Sequence, residues 1–270
     1  MGYSYGGGYR TRIRFGGPLT PAVRALLIAN GAAFALQVAV YLGSRQAYGG
    51  LIDWLALRPV AAIAGLRVWQ FVTYSFLHEV AAALPLHILM NLFMLWMFGG
   101  DVEQALGRRR FLTLYFAAAL AAGLCMIPWY HTVILGASGA VFGVMAMYGK
   151  LFPDRRVLIW GVFPVRARTL VLVLAALDLL FAVRGTETGT AHLAHVGGFV
   201  IGWFFLPLER AVMNARRERA RRRTARSRQN EAEIRETVDR LLAKVGREGL
   251  NSLTGPEREF LKRAGKRLRR

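Results

Sequence analysis

The chain has 270 residues, 54% of them hydrophobic, with a mean hydropathy of +0.33 and a formal net charge of +20. One soluble domain does not combine these values, and here they are separated: the first two thirds are apolar with brief basic breaks, the last quarter polar and basic. That separation reads as a polytopic, all-α membrane protein with a soluble tail, and the single cysteine, Cys125, excludes an intrachain disulfide and a cysteine-based metal site.

Residues 1–20 are rich in Gly, Tyr and Arg and are expected to form a flexible basic arm, with no cleavable signal peptide ahead of the first apolar segment. Six apolar segments follow: Pro21–Leu42, Leu84–Phe98, Phe111–Ile127, Gly136–Phe152, Thr169–Val183 and Thr190–Leu208. Several fall short of the roughly 20 residues needed to cross a bilayer, which suits a bundle that thins the membrane or admits water from one side. Between the first two lies a long loop, Gly43–Ala83, whose aromatics Trp69, Phe71, Tyr74 and Phe76 suit the membrane interface. From Glu209 the tail opens with an arginine-dense run expected to lie on an anionic leaflet; nucleic acid is not an expected partner, because the run directly follows a membrane segment. Ile234, Val238, Leu241 and Leu242 recur at helical spacing, and Ser252-Leu253-Thr254 followed by Glu257 reads as a helix start, so two short amphipathic helices are expected over 209–270.

Loop charges set the orientation. Arg10, Arg12, Arg14 and Arg24, then Arg108–Arg110, then Lys150, Arg155, Arg156, Arg166 and Arg168 outweigh Arg45, Arg58, Arg67 and Arg184 on the opposite set of loops. Both termini are expected in the cytoplasm. The second, fourth and sixth segments then run from outside to inside, and the polar residues they carry cluster near their outer, amino-terminal ends.

Those residues could do chemistry. Ser138 stands between Gly136 and Gly139 at the start of an apolar helix, open to a substrate backbone and beside unpaired N–H groups that favour developing negative charge. The plain alternative is that small residues there only let two membrane helices pack. His192 and His195 lie near the start of the sixth segment; His87 and Asn91 share one face of the second, as i and i+4. Both can donate hydrogen bonds, which suits an oxyanion hole, although polar glue between helices is the alternative. Gly198 and Gly202 form a GxxxG face that would bring the sixth segment against Ala140 and Gly143 of the fourth, the approach a serine–histidine pair requires. His192, one turn before His195, is expected to face the water-filled mouth or a loop. His78-Glu79 lacks the second histidine of a zinc protease, since Ala82 and Ala83 stand there. Asp178 is an intramembrane acid without a matched motif, expected to make a structural hydrogen bond or to face water.

Taken together, Gly136-Ala137-Ser138-Gly139, His87-x-x-x-Asn91 and Ala194-His195-x-x-Gly198-x-x-x-Gly202 resemble the rhomboid intramembrane serine proteases. Val68-Trp69-Gln70, Phe76-Leu77-His78 and Glu103-x-x-x-Gly107 before Arg110-Phe111 resemble the same family, and the resemblance covers about residues 20–208. The tail from about Val238 resembles the soluble extension of some bacterial rhomboids. With no organelle-targeting signal evident, a bacterial plasma membrane is the expected location. The resemblance implies a six-transmembrane-helix bundle over 21–208. It implies a Ser138 nucleophile, a His195 base, an oxyanion hole of His87, Asn91 and the Ser138 N–H, and transmembrane protein substrates. Phe142 falls where some rhomboids have a tyrosine packed on the base; Gln70 departs from the Trp-Arg pair of many members. With no third acid evident, the base is expected to be oriented by packing, and no cofactor or metal is expected. The other function class is a non-catalytic rhomboid-like protein that binds transmembrane clients, which would be expected to lack the serine or the base. Oligomeric state stays open.

Overall fold

The computed structural model describes residues 16–81, 84–129, 132–159, 162–184 and 189–268, so most of the expected amino-terminal arm lies outside the described residues. Helices α1 (Pro21–Gly43), α2 (Arg45–Leu55), α3 (Pro59–Ile63) and α4 (Gln70–Thr73) come first. They are followed by α5 (Leu86–Leu106), α6 (Arg108–Cys125) and α7 (Ser138–Leu151). Strands β1 (Arg156–Ile159) and β2 (Phe163–Arg166) then precede α8 (Ala167–Arg184), α9 (Gly189–Glu248) and α10 (Gly255–Leu268).

Each of the six expected segments falls in a helix: α1, α5, α6, α7, α8 and the start of α9. By length and composition alone, two stretches among the described residues could cross a full bilayer, α1 and the apolar part of α9. The reasons lie in the sequence. α7 has 14 residues, about 21 Å at 1.5 Å each, against a hydrocarbon core of roughly 30 Å. α6 opens on three arginines, α8 carries Arg168, Asp178 and Arg184, and α5 holds His87, Asn91, Asp101 and Glu103.

Helix α7 is the axis of the bundle. It packs against α5, α6 and α8. From Gly139 to Gly149 every residue but Phe142 is buried, the mark of a helix enclosed on all sides. The core around it includes Phe98, Phe111, Leu114, Tyr115, Val144 and Met147. Outward-facing Leu172, Val173, Leu177 and Leu180 of α8 remain exposed, as a lipid-facing surface would be.

Glycine lets α9 reach α7. A methyl added at Gly198 would lie 1.9 Å from the Gly139 carbonyl oxygen, and one at Gly202 would lie 2.1 Å from that of Gly143. The expected GxxxG contact is therefore made backbone to backbone. At the opposite end of the bundle from Ser138, the Glu103 carboxylate of α5 accepts from Ala22 N and Val23 N, each at 3.0 Å, and from the Thr20 hydroxyl. A carboxylate from another helix thus satisfies the orphan N–H groups that open α1. Nearby, Arg155 Nη1 meets Asp101 Oδ2 at 2.5 Å.

Three features depart from the sequence reading. The first loop is mostly helical, and Gln70 organises it: its Oε1 accepts from Arg58 N at 3.1 Å and its Nε2 donates to Asp53 O at 3.0 Å. Arg67 bonds Asp53 Oδ2 at 2.9 Å and lies 5.0 Å from the Trp54 ring centre, while Trp54 and Trp69 sit 4.8 Å apart. The Arg67 hydrogen bond holds the Asp53 carboxylate below its ordinary range. Second, β1 and β2 form an antiparallel hairpin, pairing Arg156 with Arg166 and Ile159 with Phe163, in an otherwise helical fold. Third, α9 runs unbroken to Glu248 instead of giving way to a separate tail helix.

The chain divides into two compact units, residues 1–206 and 207–270. Within the second, Thr254 N and Oγ1 donate to Glu257 Oε2 at 2.7 and 3.0 Å, the expected helix start. Lys244 Nζ reaches the same carboxylate at 3.2 Å.

Candidate active site

The turn that presents Ser138 is tied down from the first loop. Leu57 and Ile134 exchange two backbone hydrogen bonds of 2.9 Å, and Gly136 N donates to Tyr74 O at 3.0 Å. The Tyr74 hydroxyl in turn donates to Ala119 O on α6 at 2.7 Å. Gly136 has φ +125°, a conformation that favours glycine. A methyl there would sit 2.7 Å from His87 Nε2 and 3.7 Å from Ser138 Oγ, so the imidazole and the hydroxyl border one small space. Ser138 is the first residue of α7, so its N–H and those of the next residues have no partner within the helix.

His195 comes to this space from α9. Its ring stacks on Phe142, one turn after Ser138, with centres 4.4 Å apart and planes 4° from parallel. A methyl added to Gly139 would lie 3.5 Å from Ala194 O, so α9 meets α7 at the level of the serine. Among the described residues no hydrogen bond joins Ser138 to His195. Asn91 is buried, and its Nδ2 donates to His87 O at 2.9 Å, one turn back along α5. One amide hydrogen is thus used within the helix.

One expectation needs correction. His195 does have an acid: its Nδ1 lies 3.1 Å from Asp178 Oδ1, so packing on Phe142 is not the only constraint on the ring. The His192 Nδ1 meets the same Asp178 oxygen, and its ring lies 5.3 Å from Phe181. Asp178 is buried, and as an acid within an apolar helix it needs such partners. The three ligand atoms of Asp178, His192 and His195 lie within 4.8 Å of one another, a spacing one divalent cation could bridge. The sequence signal for this cluster was Asp178 itself, an acid in an apolar run, but nothing in the spacing said which histidine it would meet.

The structure thus sets a first-turn serine and the His87 imidazole about one glycine turn, and places on α9 a histidine held between Phe142 and the Asp178 carboxylate. Residues 65–210 match the rhomboid domain family. The chain is 34% identical over 146 residues to the mitochondrial Rhomboid protein 1 of Saccharomyces cerevisiae, covering 49% of this chain and 41% of that protein. It is 30% identical over 194 residues to the rhomboid protease GlpG of Yersinia pestis, covering 69% of this chain and 60% of that protein. With GlpG of Haemophilus influenzae it shares 29% over 177 residues, 64% of this chain and 86% of that protein. The matches thus span about half the length of the first two relatives. The chain belongs to the rhomboid family and is a multi-pass integral membrane protein.

Proposed function

We propose that the chain is an intramembrane serine endopeptidase that cleaves transmembrane helices near the outer membrane face. The observation that carries this reading is the meeting of α7 and α9 through Gly139 and Gly198, which sets His195 on Phe142 one turn from Ser138. A substrate helix unwinds and its scissile carbonyl enters the space bordered by Ser138 and His87. His195 takes the Ser138 hydroxyl proton as Oγ bonds the carbonyl carbon, then gives that proton to the leaving amine. The tetrahedral oxyanion is held by the Ser138 N–H, the second amide hydrogen of Asn91 and the His87 ring. Water attacks the acyl-enzyme by the same route in reverse, restoring the serine.

In this reading residues 21–208 form the six-span protease unit, 1–20 an arm and 209–270 a cytoplasmic tail, with both termini inside a bacterial plasma membrane. Loop charge supports the orientation. Purified protein in detergent should cleave a transmembrane test substrate, and Ser138→Ala should abolish the cleavage while folding as the wild type. Cleavage by Ser138→Ala at the wild-type rate would remove the serine from the chemistry.

A further inference from the structure

We infer that Asp178 is a positioning residue for the proposed base, converting the serine–histidine pair into an acid–histidine–serine series. The inference rests on the protease reading above. Asp178 lies on α8, an apolar helix whose Leu177 and Leu179 are exposed while Asp178 is buried. Its Oδ1 stands 3.1 Å from His195 Nδ1. An ionised carboxylate only accepts, so the nitrogen facing it must carry the hydrogen. That leaves the lone pair on Nε2, the nitrogen available to a serine hydroxyl.

Phe142 and Asp178 do different things to the ring. Parallel stacking at 4.4 Å fixes its plane, but an apolar face cannot decide which nitrogen holds the hydrogen. The carboxylate decides it, stops the ring rotating within its plane, and faces the positive charge that forms when His195 takes the serine proton. Asp178 gains no proton itself; the proton moves from Ser138 Oγ to His195 Nε2 and on to the leaving amine. Among the described residues, the charged and titratable groups around this centre are Asp178 on α8, His192 and His195 on α9, and His87 on α5. His192 shares the same carboxylate oxygen.

The test uses the full chain in detergent, with steady-state cleavage of a transmembrane substrate and the rate of fluorophosphonate labelling at Ser138. Asp178→Asn should lower kcat by up to roughly 10⁴-fold, the loss when such a carboxylate becomes an amide, with KM nearly unchanged. In a His195→Ala background, where cleavage is already lost, the same change should not slow the residual labelling of Ser138 further, because the acid acts only through that histidine. His192→Ala should cost far less than Asp178→Asn. A wild-type kcat for Asp178→Asn, in a preparation where wild type cleaves and Ser138→Ala does not, overturns this inference and leaves the protease reading standing. An additive loss of labelling in the His195→Ala background, or a loss of thermal stability that tracks the loss of rate, assigns Asp178 to the scaffold and overturns it too. If Asp178→Asn does not fold, Asp178→Glu keeps the charge and displaces the carboxylate; a lower kcat at constant KM supports the inference, and a wild-type kcat overturns it. A wild-type protein that neither cleaves nor labels overturns both readings together.

Discussion

Ser138 has no special reactivity as an amino acid; what distinguishes it is the first-turn position on α7, the glycine turn behind it and His87 across that turn. Changes at the surrounding groups should therefore grade by role. His195→Ala should abolish cleavage, and combining it with Ser138→Ala should be no worse, since in the proposed relay the two act as one unit. Asn91→Ala should lower kcat by up to the roughly 10²–10³-fold typical of one lost oxyanion donor, and His87→Ala should behave alike. Turnover and thermal unfolding measured side by side check this; equal losses in both would make these residues helix glue. The motif residues were legible in the sequence because each sits in a short run with its glycines. Asp178 was not, because its partners lie on the next helix and only the rotation of α8 against α9 reveals the contact.

The helices bring these groups together through absent side chains. Gly198 leaves no room for even one added carbon, at 1.9 Å from a carbonyl oxygen. Gly198→Ala should drive α9 from α7, destabilise the protein by about 1–3 kcal/mol as overpacking does, and depress cleavage. Gly246→Ala, where an added carbon meets nothing, should change neither. Cleavage and melting assays of the two variants decide it, and an active, stable Gly198→Ala would mean that the close approach is not needed. The apolar segments announced these helices through their length. The first loop hid its helices because RQAYGGLIDWL mixes glycines and charges, and the hairpin hid because its strands have four residues each and one contains Pro164. The far end of α9 reads as a short separate helix, yet between Pro207 and Gly246 the Ala-, Arg- and Glu-rich chain offers no breaker, so the helix continues until Gly249, at φ +82°, ends it.

Charge is distributed over the whole molecule as a topological signal. In a Cys125→Ala background, a cysteine at Val133 should react with an impermeant thiol reagent on intact cells, and one at Asn230 should not; the reverse pattern would invert the proposed orientation. The tail carries its own pH dependence. The Thr254 N–H above all, then Lys244 and the Thr254 hydroxyl, hold the Glu257 carboxylate below its ordinary range. A lowered folded value stabilises above the unfolded value, near about pH 4.3, and that support fades as pH falls through the lower folded value. Circular dichroism of the full chain should show a small fall in tail helicity over that acid range, and Glu257→Gln should reduce it; an unchanged profile would mean that these contacts are absent in solution.

If Ser138 is an activated nucleophile, fluorophosphonate labelling of the purified full chain followed by peptide mapping will find it. A single modified residue is expected, Ser138, with labelling lost in Ser138→Ala and strongly slowed in His195→Ala. Labelling of another residue, or of none while the protein still cleaves its substrate, would contradict that role.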